Sequence, residues 1–123
     1  MPDGLEPDPW IDGVSGQALA FDGVDDYVSV ANNVASGATS LTVSAWVKWN
    51  SSVTAWNNAI HKTHADQTSI GTSEYFIGMS SSKEIAATIG AYTTDSGWGD
   101  GVTSVIATLG QWYHIVGTWD GTN

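Results

Sequence analysis

The chain has 123 residues, with thirteen carboxylates against three lysines, no arginine and no cysteine. A net charge of −10 without a single guanidinium repels nucleic acid and anionic membrane surfaces, and the missing thiols exclude disulfides, thiol catalysis and zinc–thiolate sites. With 41% hydrophobic and 13% charged residues this is one domain rather than a disordered acidic tail, and no apolar run approaches the roughly 18 residues of a membrane-spanning helix. Partners are therefore neutral or cationic, or are reached through a bound divalent ion. Ser, Thr and Gly supply a third of the chain and there are seven Trp, a composition that points to an extracellular or cell-surface β protein.

In chain order, all three prolines (Pro2, Pro7, Pro9) fall in the first nine residues, among Asp3, Glu6 and Asp8. Residues 1–13 read as an acidic lead-in or linker, and Trp10 falls within it. This stretch lacks the basic and apolar regions of a signal peptide, so an export signal is not in this chain. Ala18–Phe21 and Tyr27–Val30 flank the turn cluster Asp22-Gly23-Val24-Asp25-Asp26 and predict strand, turn, strand. Leu41–Trp49 alternates strictly: Leu41, Val43, Ala45, Val47 and Trp49 share one face, Thr42, Ser44, Trp46 and Lys48 the other. Short strands follow at Asn58–Lys62, Glu74–Met79, Glu84–Gly90, Thr103–Thr108 and Trp112–Trp119. Their connections are rich in Ser, Gly, Thr and Asn. No window carries a capped 3.6-residue stripe, so the fold class is all-β, a sandwich or barrel. Asp120-Gly121-Thr122-Asn123 reads as a hairpin turn with no strand after it, which predicts a chain that stops within a domain.

Three blocks in order carry a resemblance. Gln17-Ala18-Leu19-Ala20-Phe21-Asp22-Gly23-Val24-Asp25-Asp26-Tyr27-Val28-Ser29-Val30, then Leu41-Thr42-Val43-Ser44-Ala45-Trp46-Val47-Lys48, then Gly110-Gln111-Trp112-Tyr113-His114-Ile115-Val116-Gly117-Thr118-Trp119-Asp120-Gly121 resemble laminin-G-like domains of the concanavalin A-like lectin/glucanase superfamily. The resemblance implies an antiparallel two-sheet jelly-roll sandwich over residues 14–123. It also implies that these are the N-terminal two-thirds of that domain, with association through exposed sheet edges as a consequence.

Glycan-cleaving enzymes share that superfamily, but glycoside hydrolysis needs two carboxyl groups facing each other across the bond. The chain has only Glu6, Glu74 and Glu84, none in a Glu-x-Asp-x-x-Glu spacing, and there is no nucleophile-elbow motif. Calcium needs six to eight oxygens from carboxylates and loop carbonyls. Asp22, Asp25 and Asp26 with the Gly23 carbonyl are the candidate ligands, and the resemblance implies a calcium ion at a loop edge. The competing reading is a plain turn, with Asp22 bonding its own backbone and Gly23 supplying positive φ. Asp95 and Asp100 offer a second, weaker set. His61 and His64 sit at a strand end, where residues three apart face opposite ways, which argues against zinc. His114 reads as a partly buried, hydrogen-bonded structural residue.

Trp46, Trp112 and Trp119 lie within predicted strands and read as core. Trp56 and Trp98 lie in predicted loops beside Asn57 and Asn58, and beside Asp95 and Asp100. An indole that stacks on a sugar ring next to groups that bond hydroxyls makes these six the candidate ligand residues. Asn50-Ser51-Ser52 is a glycosylation sequon. The expectation is a non-catalytic recognition module for a glycan or a protein surface, calcium-assisted, without nucleic-acid binding or membrane insertion. The alternatives are a spacer or adhesion module without a small ligand and, third, a fragment of a glycoside hydrolase.

Overall fold

The computed structural model describes residues 9–30, 38–51, 56–63, 73–89 and 102–120. The described elements are all strands: β1 (Trp10–Asp12), β2 (Gln17–Leu19), β3 (Leu41–Lys48), β4 (Asn57–Thr63), β5 (Ser73–Met79), β6 (Glu84–Ile89), β7 (Val102–Ile106) and β8 (Trp112–Trp119). They fall into two compact units, residues 1–34 and 35–123.

In the first unit β1 and β2 form an antiparallel hairpin, with Trp10 opposite Leu19 and Asp12 opposite Gln17. The Gly13 amide donates to the Gly16 carbonyl at 2.9 Å across the loop, and the Ala20 amide reaches the Pro9 carbonyl at 2.7 Å beyond the last pair. This corrects two expectations. Trp10 stands in a strand rather than in a lead-in, and β2 pairs backwards with β1 instead of forwards with Tyr27–Val30. The reason lies in the Asp22–Asp26 turn. The turn closes on itself, the Asp22 amide donating to the Asp26 carboxylate at 3.0 Å, while the Ala20 amide just before it is held by the Pro9 carbonyl. Among the described residues Tyr27–Val30 has no ladder partner, and Tyr27, Val28 and Val30 are exposed.

The second unit is a two-layer sandwich. β3 and β8 pair antiparallel without a register shift, from Leu41 opposite Trp119 to Lys48 opposite Trp112. The other layer runs β4-β5-β6-β7, all antiparallel. β-branched and small apolar residues at every second position turn one face of each layer inward. Between the layers lie Ile77, Met79, Ile85 and Ala87 from the four-stranded sheet, with Trp49, Ala107 and Ile115, flanked by Val43, Ala45, Val47, Ile60 and Tyr113. Ile77 and Met79 are fully buried, each contributing roughly 1.5–3 kcal/mol by removal from water. β8 and β6 approach most closely at Gly117, where an added Cβ would lie 3.2 Å from the Ala87 Cβ and 3.4 Å from the Ile89 Cδ1. Glycine is favoured there by the spacing of the sheets rather than by its dihedral freedom, since any side chain would push its neighbours back by a few tenths of an ångström.

Two connections are tied down by side chains. Between β5 and β6 the Ser80 hydroxyl accepts from the Ser82 and Glu84 amides, each at 3.2 Å, and Lys83 takes a left-handed φ of 67°. Between β7 and β8 the Tyr113 hydroxyl accepts from the Thr108 amide at 2.8 Å and donates to Gln111 Oε1 at 3.3 Å. Tyr113 thus packs its ring on the core and anchors the loop with its hydroxyl. The strands at 57–63, 73–79, 84–89 and 112–119 lie where alternation puts them. β7 is shorter than expected because Ala107 leaves the ladder to enter the core, its amide donating to the Lys83 carbonyl at 2.7 Å. The terminal turn at 121–123 lies outside the described residues.

Candidate functional site

The Asp22–Asp26 turn is built by its own carboxylates. Asp22 Oδ1 accepts from the Val24 amide at 2.7 Å, an Asx-type turn, and Gly23 follows with φ 78°. These bonds bend the segment so that oxygens of Asp22, Asp25 and Asp26 all lie within 4.8 Å of one another, with all three residues exposed. Oxygens coordinating one calcium ion at 2.3–2.6 Å can be at most about 5 Å apart, so the three carboxylates fit the ion's first sphere, with solvent for the remaining ligands. Among the described residues no other trio of His, Cys, Asp or Glu converges in this way. The hydrogen bonds that make the turn also gather the charges.

Of the six candidate ligand residues, Asp95, Trp98 and Asp100 lie outside the described residues. Trp56 precedes β4, 43% exposed, with its ring edge-on to Phe76 at 5.4 Å and 72°. Asn57 pairs with Met79 and Asn58 with Gly78, so alternation sends them to opposite faces. Asn57 follows the core side with Met79. Asn58 shares the outward face with Phe76, which is buried at 3% exposure. The Asn58 carboxamide lies over Gly78, where an added Cβ would come within 2.7 Å of Oδ1. Trp56 and Asn58 are thus brought together and Asn57 is not. A register shift between Asn58 and Ile60 follows, which re-aims the strand there. His61 pairs with Phe76 on the same outward face. Desolvation against the sheet lowers its pKa from the ordinary imidazole value, a participant that spacing arguments about metals overlook. His64 lies outside the described residues.

The solvent face of the β3–β8 pair overturns three further expectations, since Trp112, read as core like Trp46, stands on it opposite Lys48. Trp46 is 52% exposed and not core, and His114 directly opposite is exposed and not structural in the buried sense. Their rings stack at 4.9 Å with 20° between planes. At the next pair outward, the Lys48 ammonium sits 5.0 Å from the centre of the Trp112 ring. The physical reason is parity. Val43, Ala45 and Val47 claim the core, so every even position of β3 faces solvent whatever its hydrophobicity. The signal was present in the strict alternation, which already set Trp46 beside Ser44 and Lys48.

No curated protein and no solved structure gives a match to the chain. A laminin-G-type family model, described as concanavalin A-like lectin/glucanases superfamily, matches residues 22–123. That span takes in the Asp22–Asp26 turn, both aromatic faces and every strand of the two-layer sandwich. The all-β order, the antiparallel sheets and the match over most of the sequence agree, and the chain belongs to the concanavalin A-like lectin/glucanase superfamily, in its laminin-G-type family.

Proposed function

We propose that the chain is a non-catalytic recognition module of an extracellular or cell-surface protein, and that it binds a neutral glycan. The observation that carries this reading is Trp56: a 43% exposed indole, braced edge-on by Phe76, on the same face as the Asn58 carboxamide. A braced indole loses little side-chain freedom when a sugar ring stacks on it, and a carboxamide both donates to and accepts from hydroxyls. Support for a role without catalysis comes from the carboxylates. Glu6, Glu74 and Glu84 are the only glutamates, and none stands in a Glu-x-Asp-x-x-Glu spacing.

The Asp22, Asp25 and Asp26 carboxylates, with the Gly23 carbonyl, are proposed to hold calcium, which relieves the repulsion among three gathered charges. A native-state ligand raises the melting midpoint by mass action. Melts in EDTA and in excess calcium should therefore differ for the native chain and coincide for Asp25→Asn/Asp26→Asn. Coincident native melts remove calcium from the reading.

The glycan reading is tested by calorimetric titration with a panel of neutral hexasaccharides (gluco-, xylo- and manno-configured). Trp56→Ala should bind at least one of them more weakly while melting as the native chain does. A panel without any heat of binding leaves the spacer or adhesion role as the better account.

A further inference from the structure

Resting on the glycan reading above, we infer that the chain carries a second sugar-binding surface, on the solvent face of the β3–β8 pair, with Trp46 as its stacking platform. The occupant is a neutral polysaccharide of pyranose units. Three features of the face select it.

First, the ring is presented and held. Trp46 is 52% exposed, and His114, its cross-strand partner, stacks on it at 4.9 Å and 20°. An aromatic pair of this kind restricts the indole's rotamers before any ligand arrives, so less freedom is lost on binding.

Second, the surroundings match a sugar rather than a purely apolar partner. Ser44 on β3 and Thr118 on β8 are exposed on the same face. Ser44, on the rung next to Trp46 and opposite Val116, offers a hydroxyl beside the ring, as the polar edge of a pyranose requires, and Thr118 offers another two rungs from the ring. The Lys48–Trp112 pair is the next rung along the same two strands, about 6.6 Å further on at the rise of a strand. The aromatic groups therefore run in line with the strands, which suits an extended chain of sugars better than a single ring.

Third, charge disposes of the competitors. The chain carries −10 overall, yet no paired position on this face is a carboxylate. A cationic partner finds nothing here to bind, and an anionic polymer is repelled by the molecule as a whole. Two copies each carrying −10 repel one another as well.

The test is calorimetric titration of the 123-residue chain with gluco-, xylo- and manno-configured hexasaccharides and with the corresponding monosaccharides. It is run on the native chain, Trp46→Ala, Trp46→Phe and Trp56→Ala, each checked by thermal melting, with sedimentation in parallel. The expected result is tighter binding of a hexasaccharide than of its monosaccharide. Trp46→Ala should weaken one of two sites by about tenfold, the loss of a single aromatic contact. Trp46→Phe should fall between the two, and Trp56→Ala should spare the Trp46 site. If a folded Trp46→Ala binds with unchanged affinity and stoichiometry while Trp56→Ala does not bind, the second surface is overturned and the recognition role stands. If no saccharide binds the native chain, both fall. Self-association that Trp46→Ala abolishes, without any sugar response, assigns the face to a second copy and overturns the inference.

Discussion

The two faces of the β3–β8 pair share strands, register and backbone, and differ in everything that follows. Inward, Val43, Ala45, Val47 and Ile115 meet the core of Ile77, Met79 and Ile85. Outward, Trp46, Lys48, Trp112 and His114 meet each other and solvent. The outer face is mostly polar (Thr42, Ser44, Lys48, His114, Thr118), yet it carries two indoles, Trp46 and Trp112. Burial in the β3–β8 pair is therefore decided by parity along the strand and by a second sheet on one side only, whereas β5 and β6 bury residues of both parities, Phe76 with Ile77 and Ala86 with Ala87. A residue of the size of Trp46 is kept outside because its neighbours Ala45 and Val47 are shaped for the gap between the layers. An outward aromatic face contributes little to folding, which leaves it free to recognise a ligand.

The sharpest way to break this comparison is to truncate adjacent residues on β8. Ile115→Ala removes a buried side chain (6% exposed) and should cost about 3 kcal/mol in urea unfolding. Its neighbour Val116→Ala, 49% exposed, should change stability by about 0.5 kcal/mol or less. Equal costs would mean that the outer face is also covered. Gly117→Val drives a branched side chain against Ala87 and Ile89 and should lower stability by about 2 kcal/mol. Tyr113→Phe keeps the core ring but leaves the Thr108 amide without its acceptor, a loss of about 1 kcal/mol. Trp46→Ala should lower stability by only about 0.5–1 kcal/mol, the scale of an exposed cross-strand aromatic pair.

The smallest effect is on pH. The imidazole of His61 takes a proton less readily folded than unfolded. Below its ordinary value, near 6.5, the unfolded chain therefore binds more protons, and stability falls as pH drops through that range. His61→Gln should flatten the slope of melting midpoint against pH between about 7 and 5. An unchanged slope would mean that His61 is as well solvated folded as unfolded.

Most of the second unit was legible in the residues. Strict alternation from Leu41 to Trp49 and from Trp112 to Trp119 placed two strands, and Trp49 on the core side, because a pleated strand admits no other assignment of faces. Serine-rich and glycine-rich segments marked where strands end. The first unit was read less well. The Asp22–Asp26 turn was legible, since an Asp-Gly pair bonds its own backbone. The pairing was not, because the partner of Gln17–Leu19 is Trp10–Asp12, on the other side of the Gly13–Gly16 loop. The Gly13–Gly16 loop, flanked by Trp10-Ile11 and Ala18-Leu19, was the overlooked signal for β1.

By itself the sequence determined the all-β class, the positions of the long strands, the acidic balance and the laminin-G-type resemblance. Each of these depends on local pattern, on residue chemistry or on motif order along the chain. Tertiary structure alone decided which apolar residues are core. It laid β8 over β6 so closely that a side chain at Gly117 would press on Ala87 and Ile89. It separated Asn57 from Asn58, and it set His114 against Trp46 across two strands 68 positions apart in sequence. Pairing between distant segments has no local signature, because the contacts that stabilise it exist only once both strands have met.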